Sequence, residues 1–281
     1  MNNLDGKIAV VTGASRGIGK GIALGLAEYG ATVYIAGRTE SDDNLPDFLK
    51  GTTIHKTAEE VTKMGGKGIV CRCDFSKDDD IKNLFERIQK EQGRLDILVN
   101  NAWSGANHVM SGYFWNTPFW KQPTTLFDDF FTVGLRSGYI CSQYAAKIME
   151  EQKSGLITNI SFYSARRYWL TPSHGIFKAA TDKMTADTAH ELREHNIKVF
   201  SLYPGNVSTE GMIEAAKYNP ALKEQEMESP QFVGRCVAAL ALDEAAIKQS
   251  GEVLITGEIA KQYGFTDLNG NYPVSLRSEL W

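Results

Sequence analysis

The chain has 281 residues, of which 42% are hydrophobic and 23% are charged. A chain of this length and composition can bury a sizeable core, which excludes a disordered chain and a miniprotein that depends on disulfides. The 30 lysine and arginine residues against 34 aspartate and glutamate residues give a formal charge of −4, and no dense basic run occurs, so small-molecule chemistry is favoured over binding to nucleic acid or to a membrane.

The first part of the chain alternates apolar segments with helical patterns. Strands are predicted at 7–12, 32–36 and 68–73, and helices at 17–29, 57–64 and 78–92. Ser76 and Asp79 form a predicted capping box at the start of the third helix, and the acidic run at 78–80 suits a helix N-terminus. This alternation is typical of an α/β fold.

The alternation continues through the rest of the chain. Further strands are predicted at 95–99, 155–160 and 197–202, and long helices near 127–151 and 175–194. Because near-continuous apolar strands alternate with helices, we expect a doubly wound parallel sheet with helices on both faces. No repeat or linker divides the sequence, so residues 1–281 are expected to form a single domain.

Two stretches interrupt the pattern, at 39–56 and at 103–125. The second is rich in aromatic residues, namely Tyr113, Phe114, Trp115, Phe119 and Trp120. Ligands of open α/β sheets bind at the carboxyl ends of the strands. The second stretch is therefore either a wall of a ligand pocket or a separate hydrophobic cluster.

Several features bear on the compartment and on metals. No apolar run reaches the roughly 18 residues of a membrane helix, and the N-terminus lacks the pattern of a signal peptide, so a cytoplasmic protein is expected. The four cysteines show no CxxC spacing, and Cys71 and Cys73 are predicted to face the same core as reduced thiols. His190 and His195 are five residues apart, unlike the zinc pair of HExxH, and no metal site is expected.

A glycine-rich turn follows the first predicted strand. The segment from Thr12 to Gly19 reads TGASRGIG and lies between a strand and a helix. Glycines permit a tight turn and a close approach of the backbone to a ligand, and the N-terminus of the following helix offers free N–H groups to a diphosphate. The sequence therefore predicts a dinucleotide site in which Gly13, Ser15, Arg16, Gly17, Ile18 and Gly19 contact the ligand.

The end of the second strand indicates which dinucleotide binds. At this position an NAD site typically carries a carboxylate for the ribose 2′-hydroxyl, whereas this chain has Arg38. Arg38 and Arg16 together can bind a 2′-phosphate, since guanidinium groups match phosphate geometry. NADP(H) is therefore predicted as the cofactor in preference to NAD(H).

These motifs, with others in the same order, resemble those of the short-chain dehydrogenase/reductases, a family of single-domain Rossmann enzymes. The matching pieces run from Lys7 to about Thr256: TGASRGIG, Asp74 after the third strand, NNA at 100–102, Lys178, and PGNVST at 204–209. Within the family, the chain is most similar to the dehydrogenase/reductase member 1 subgroup.

The resemblance assigns roles to residues along the cofactor. Asp74 would contact the adenine, Lys178 would hold the hydroxyls of the nicotinamide ribose, and Thr209 would approach the nicotinamide carboxamide. The residues that would line or flank the cofactor are Asn100, Asn101, Ala102, Pro204 and Gly205. Trp103 departs from the family's usual glycine after NNA, which affects the expected shape of the loop.

The chain departs from the family at the catalytic positions. The family's proton donor is the tyrosine of YxxxK, but this chain reads His174-Gly-Ile-Phe-Lys178. Ser161 has the spacing of the family serine, although Phe162 stands where the second serine of a pair is often the active one. Gly134 replaces the asparagine that holds a relay water. The predicted catalytic residues are His174, Lys178 and Ser161.

Three functions remain open on these residues. The first is an NADPH-dependent carbonyl reductase in which a protonated histidine gives the proton, although a lysine cation four residues away favours the neutral imidazole. The second is an NADP(H)-binding protein with little redox turnover, and the third is a lyase or cyclase that reuses the same pocket. The substrate loops are expected near 103–125 and 207–228.

The resemblance also bears on assembly, and the composition bears on the substrate. Members of the family commonly form homodimers or homotetramers through the two long helices. By composition alone, and not by the resemblance, Met110, Trp115, Trp120 and Met212 could surround an apolar, fairly bulky carbonyl substrate. No nucleic-acid or membrane partner is expected.

Overall fold

Seven parallel strands form the central sheet of the computed structural model, which describes residues 4–105, 108, 117–169, 171–218 and 226–279. In chain order they are β1 (Ile8–Thr12), β2 (Thr32–Gly37), β3 (Lys67–Arg72), β4 (Ile97–Asn100), β5 (Gly155–Ile160), β6 (Ile197–Tyr203) and β7 (Val253–Ile255). Their order across the sheet is β3-β2-β1-β4-β5-β6-β7. The order reverses direction between β1 and β4, which confirms the predicted doubly wound parallel sheet.

Helices cover both faces of this sheet. They are α1 (Gly17–Ala27), α2 (Ile54–Met64), α3 (Asp78–Gln92), α4 (Thr124–Asp129), α5 (Ser137–Gln152), α6 (Pro172–Leu192), α7 (Glu210–Tyr218), α8 (Pro230–Leu242) and α9 (Thr256–Tyr263). One core cluster joins α1, α2 and α8 to the sheet, and a second joins α3 and α5 to its opposite face. Strand β1 is buried at all five positions because it lies between two strands and beneath both helical layers.

The predicted elements are confirmed apart from their ends, one helix cap and one interrupted helix. Helix α2 begins three residues earlier than predicted, because the Thr53 side chain accepts the Lys56 N–H and caps it there. The capping box predicted from Ser76 and Asp79 is wrong: Lys77 precedes α3, and the Ser76 hydroxyl donates to the Asp74 carboxylate at 2.8 Å instead. Strand β7 and helices α8 and α9 were not predicted.

The long helix predicted near 127–151 is interrupted. A π-helical stretch at Phe130–Arg136 connects α4 to α5. It contains Gly134, where an added Cβ would lie 2.5 Å from the ring of Phe177 on α6. Wider turns of this kind inside α-helices often occur at functional sites, and this one faces the segment that carries His174 and Lys178.

The close packing of α1 against α8 depends on glycines. An added Cβ at Gly25 would lie 2.7 Å from the Gly234 Cα, so the two helix backbones touch at this point. We expect Gly25→Val to lower the free energy of unfolding by about 2 kcal/mol or more, since the helices would have to separate. Urea unfolding would measure the loss, and Gly211→Ala, with nothing within 4 Å of its added Cβ, is the matched control. Equal stability of the two variants would contradict this packing.

The cysteines agree with the predicted reduced state. All four are free thiols and all are buried. Cys71 and Cys73 belong to the same core cluster, as predicted. In the part of the chain that the structure describes, no group of three His, Cys, Asp or Glu side chains is placed to hold a metal ion. Within the same ranges, none of the helices combines the length and the apolar character needed to cross a membrane.

Candidate active site

The candidate site lies along one edge of the sheet. Because the strands are parallel, their carboxyl ends meet at this edge, and the predicted site residues follow those ends. The residues that follow β1 to β6 include the glycine turn, Arg38, Asp74, Asn101, Ser161 and Pro204. The fold therefore brings the predicted cofactor-binding positions to one edge, with His174 and Lys178 on α6 beside it.

The glycine turn is held tightly against the end of β4. Gly13 has a φ of 66°, and an added Cβ there would lie 2.9 Å from the Ala102 Cα. The Thr12 hydroxyl accepts the N–H groups of Asn101 and Ala102, each at 2.9 Å, and the Asn101 amide donates to the Thr12 carbonyl at 2.8 Å. The NNA segment thus braces the turn whose shape a dinucleotide would need.

Two arginines lie beside the glycine turn at this edge. Arg16 donates to Thr39 and to Thr52, each at 3.0 Å, while Arg38 is exposed. Burial lowers the pKa of the Arg16 guanidinium; Glu210 opposes that effect, and the positive charge of Arg38 adds to it. Two like charges at this edge would be stabilised by a bound anion.

A carboxylate lies against the first turn of α1. The Glu210 carboxylate accepts the N–H of Gly17 at 3.0 Å, and the methyl group of Thr209 lies 3.6 Å from where a Gly17 Cβ would be. A negative charge is favoured there because a helix N-terminus presents unpaired N–H groups. The start of the predicted 207–228 substrate loop therefore contacts the glycine turn. The Thr209 hydroxyl also accepts the Met212 N–H and so caps α7.

His174 is enclosed by aromatic rings. Five rings have centroids 5.3 to 6.3 Å from the imidazole, and they belong to Trp103, Phe130, Phe162, Trp169 and Phe177. The side chain of His174 is 5% exposed, and its Nδ1 is hydrogen-bonded to the Ser164 hydroxyl at 2.9 Å. Trp103, which departs from the family pattern, is thus in contact with the residue that replaces the family tyrosine.

Burial and charge determine the protonation states of His174 and Lys178. Burial lowers the pKa of His174 well below its ordinary 6.5, and the positive charge of Lys178 lowers it further. Burial also lowers the pKa of Lys178 to about 8, against the opposing charge of Asp182. Lys178 donates to the Ile160 carbonyl at 2.8 Å, which places its ammonium group at the end of β5. At neutral pH the imidazole is neutral while the lysine is mostly charged.

The serine that contacts His174 is Ser164. The Ser161 hydroxyl donates to the Lys178 backbone carbonyl at 3.3 Å, whereas Ser164 lies in a short helical turn at Tyr163–Ala165 and reaches the imidazole directly. Sequence spacing could not reveal this contact, because it depends on how the turn after β5 packs on α6. The only sequence signal was a second serine three residues after Ser161.

Asp74 follows β3, and Asn100 is the last residue of β4. Burial opposes ionisation of Asp74, but hydrogen bonds from Ser76 lower the pKa of Asp74 and keep the carboxyl charged. Asn100 donates to Ser142 and to Asn159, and its Oδ1 is buried without a hydrogen-bond partner among the described residues. An orphaned acceptor at the end of β4 can receive a donor from a ligand.

The aromatic stretch is only partly described. Trp103 joins the cluster around His174, while Phe119 and Trp120 are 61% and 71% exposed and pack on each other with centroids 5.5 Å apart. Tyr113, Phe114 and Trp115, which were also predicted for a pocket wall, lie outside the described residues, and so does Met110.

The chain is similar to known dehydrogenases. The family model for short chain dehydrogenase matches residues 7–219. Dehydrogenase/reductase SDR family member 1 of Mus musculus is 41% identical over 278 residues, which cover 95% of this chain and 85% of the relative. The 7alpha-hydroxysteroid dehydrogenase of Escherichia coli is 31% identical over 210 residues, covering 74% of each chain. A solved 7alpha-hydroxysteroid dehydrogenase in complex with NADH and 7-oxo glycochenodeoxycholic acid has a TM-score of 0.73 at 26% identity and covers 97% of each chain.

Proposed function

The chain belongs to the short-chain dehydrogenase/reductase family, and from that premise we propose that it is an NADP(H)-dependent oxidoreductase that reduces a carbonyl group of an apolar small molecule. The observation that carries this proposal is the braced glycine turn beside two arginines, with His174 and Lys178 at the same sheet edge. When bound, the nicotinamide supplies the hydride. The protein's own residues supply orientation and a proton.

The residues at this edge fit a dinucleotide. Gly13 has no room for a side chain because the turn packs against Ala102, and the Asn100 Oδ1 has no hydrogen-bond partner among the described residues. Arg16 and Arg38 would hold the 2′-phosphate, and Lys178 would hold the ribose hydroxyls near the reacting carbon. A nicotinamide cofactor agrees with the NADH complex of the solved relative, while the choice of NADP(H) rests on the arginines.

Removing Arg38 is expected to weaken NADPH binding selectively. Loss of one charge-assisted hydrogen bond to the 2′-phosphate should raise the NADPH dissociation constant about 10- to 100-fold in Arg38→Ala, with little change for NADH. Isothermal titration calorimetry with both nucleotides would measure this. Arg277→Ala, which removes a guanidinium paired with Glu258 on α9, is the charge-matched control. An unchanged ratio of the two constants would refute the assignment of NADP(H).

His174 would be the proton carrier in place of tyrosine. Its Nδ1 is fixed by Ser164, and protonation of the ring is opposed by burial and by Lys178. A neutral imidazole is a poor acid, so reduction should be faster at low pH, where more of the ring is protonated. The same lowered pKa makes the neutral ring a weak base, so it accepts a proton from an alcohol poorly in the reverse reaction.

The ring cluster around His174 supports an apolar substrate. Trp103, Phe162 and Trp169 present mostly carbon surface beside the proton carrier, so a strongly polar substrate would lose much of its hydration there. A panel of apolar ketones and alcohols, followed by NADPH absorbance, tests the function directly. No oxidation or reduction across the panel, combined with tight NADPH binding, would favour the second candidate, a nucleotide-binding protein with little turnover. The buried neutral His174 is the observation in favour of that candidate.

We also propose that the protein is cytoplasmic and forms a homodimer or homotetramer through α5 and α6. Tyr139 on α5 and Ile176 on α6 are 48% and 51% exposed, which is costly for large apolar side chains in water. Four free, buried thiols suit a reducing compartment. Light scattering of the purified chain would give the oligomeric state.

A further inference from the structure

A buried glutamate lies behind the Pro204–Gly205 turn. Glu228 is 4% exposed and comes just before α8, where its backbone pairs with Asn206 and Ser208. Its carboxyl group is close to Gly205: the Gly205 N–H donates to it, and a Cβ added at Gly205 would lie 3.2 Å from the Glu228 Oε2. This carboxyl group has no role in the proposed chemistry, yet it touches the turn that would flank the nicotinamide.

The hydrogen bonds around Glu228 differ between the protonated and the ionised carboxyl. The Thr256 hydroxyl lies 3.0 and 3.2 Å from the two carboxyl oxygens and 3.3 Å from the Tyr203 carbonyl. A hydroxyl has one hydrogen to donate. If Glu228 is protonated, its O–H donates to Thr256, Thr256 donates to Tyr203, and the other carboxyl oxygen accepts from Gly205. If Glu228 is ionised, Thr256 must donate to the carboxylate, and the Tyr203 carbonyl loses that donor.

The surroundings of Glu228 agree with the protonated form. Burial raises the pKa of Glu228 to about 8, while hydrogen bonds from Thr256 and Gly205 oppose the rise and the charge of Asp267 adds to it. Among the described residues, the other titratable groups that face it are the Cys236 thiol on α8 and Glu226, which lines the same small cavity as Asp267. The charged side chains that line this cavity in the described part of the chain are all acidic, namely Glu226, Glu228 and Asp267. Ionisation would therefore place a second negative charge beside Asp267.

We propose that Glu228 is a positioning residue for the cofactor: its protonated carboxyl holds the Pro204–Gly205 turn in place through Gly205, Thr256 and Tyr203, and its ionisation releases that turn. The link to the cofactor rests on the proposed function, in which the Pro204–Gly205 turn flanks the nicotinamide. The hydrogen-bonded arrangement itself belongs to the chain alone. Nucleotide binding should then weaken in mildly alkaline solution.

Glu228→Gln separates protonation from packing. The glutamine amide can donate to Thr256 and accept from Gly205, as the protonated carboxyl does, but it does not ionise. For the unmodified chain we expect the NADPH dissociation constant to rise more steeply from about pH 7 to about pH 9 than for Glu228→Gln, because in the variant only Lys178, whose pKa is lowered to about 8, still loses its proton in this range. The 2′-phosphate is already ionised in this range because its second pKa is near 6. Glu226→Gln, at an exposed position in the same cavity, should keep the pH dependence of the unmodified chain.

A second measurement needs no nucleotide. The amide hydrogen-exchange rates of residues 203–209 are compared between the unmodified chain and Glu228→Gln at the same pH. Above about pH 8 the unmodified chain should exchange faster than the variant, because its turn opens more often. Glu228→Ala should open the segment at every pH and raise the NADPH dissociation constant roughly ten-fold. Equal pH dependence of exchange in the unmodified chain and in Glu228→Gln would overturn the inference. Absence of NADPH binding by every variant, with the exchange difference intact, would instead refute the proposed function and leave the role of Glu228 in the turn standing.

Discussion

Replacing His174 with tyrosine is expected to raise NADPH-dependent carbonyl reduction at neutral pH by about 10²-fold or more. The physical reason is the state of the proton. Burial and the positive charge of Lys178 keep the imidazole neutral, so little of the enzyme carries the proton that reduction consumes. A tyrosine, with an ordinary pKa near 10, carries its proton at neutral pH, and the cation one helical turn away stabilises the phenolate that forms. The steady-state kcat with an apolar ketone would measure the gain.

His174→Phe is the matched control for this exchange. It keeps an aromatic ring among Trp103, Phe130 and Trp169 but has no proton to give, so its rate should stay at or below that of the unmodified chain. The pH profiles should also differ. Because the pKa of His174 is lowered, reduction by the unmodified chain should keep rising as the pH falls below the ordinary histidine range, whereas the tyrosine variant should be flat there. A gain as large in His174→Phe would show that ring packing, not the proton, limits the reaction.

The sequence predicted the fold well because burial leaves a simple pattern. Strands such as β1 and β6 lie in the middle of the sheet, so their residues are apolar on both faces and read as continuous runs. Strand β7 pairs with β6 at the end of the sheet order. It has three residues, which are too few for a pattern of apolar residues to show in the sequence. The start of α2 was misplaced because its position is set by the Thr53 cap rather than by apolar spacing.

The sequence predicted the positions of the candidate site but not its contacts. Parallel topology alone places Arg38 and Asn101 at one edge, so their spacing along the chain was sufficient. The contact of Ser164 with His174, and that of Glu210 with Gly17, join segments that are separated in sequence and carry no periodic signal. Glu228 was overlooked for the same reason, since an isolated glutamate reads as a surface residue until its burial is known.

Lys178→Met is expected to lower kcat for carbonyl reduction about 10²- to 10⁴-fold. The lysine is 8% exposed, donates to the Ile160 carbonyl at 2.8 Å and lies 4.4 Å from the centre of the Phe177 ring, so its ammonium group is fixed at the end of β5. Methionine has a similar length but cannot donate to ribose hydroxyls or stabilise negative charge on the substrate oxygen. Single-turnover rates with saturating NADPH would measure the loss. Lys183→Met, which removes an exposed lysine paired with Asp187 on the same helix, is the control.

Lys178→Met should also change the pH dependence of carbonyl reduction, which loss of a purely structural lysine would leave unchanged. The cation lowers the pKa of His174 in addition to burial, so its removal leaves burial alone, and the residual reduction in Lys178→Met should begin to rise at a higher pH than in the unmodified chain. In the unmodified chain the cation itself is lost as the pH rises through about 8, so turnover should also fall on the alkaline side, and that limb should be missing from the variant. Two results would contradict a chemical role of Lys178: full turnover in Lys178→Met, or a loss of turnover in which the rise of the rate towards low pH begins at the same pH as in the unmodified chain. Lys178 would then serve only as a partner of the Ile160 carbonyl.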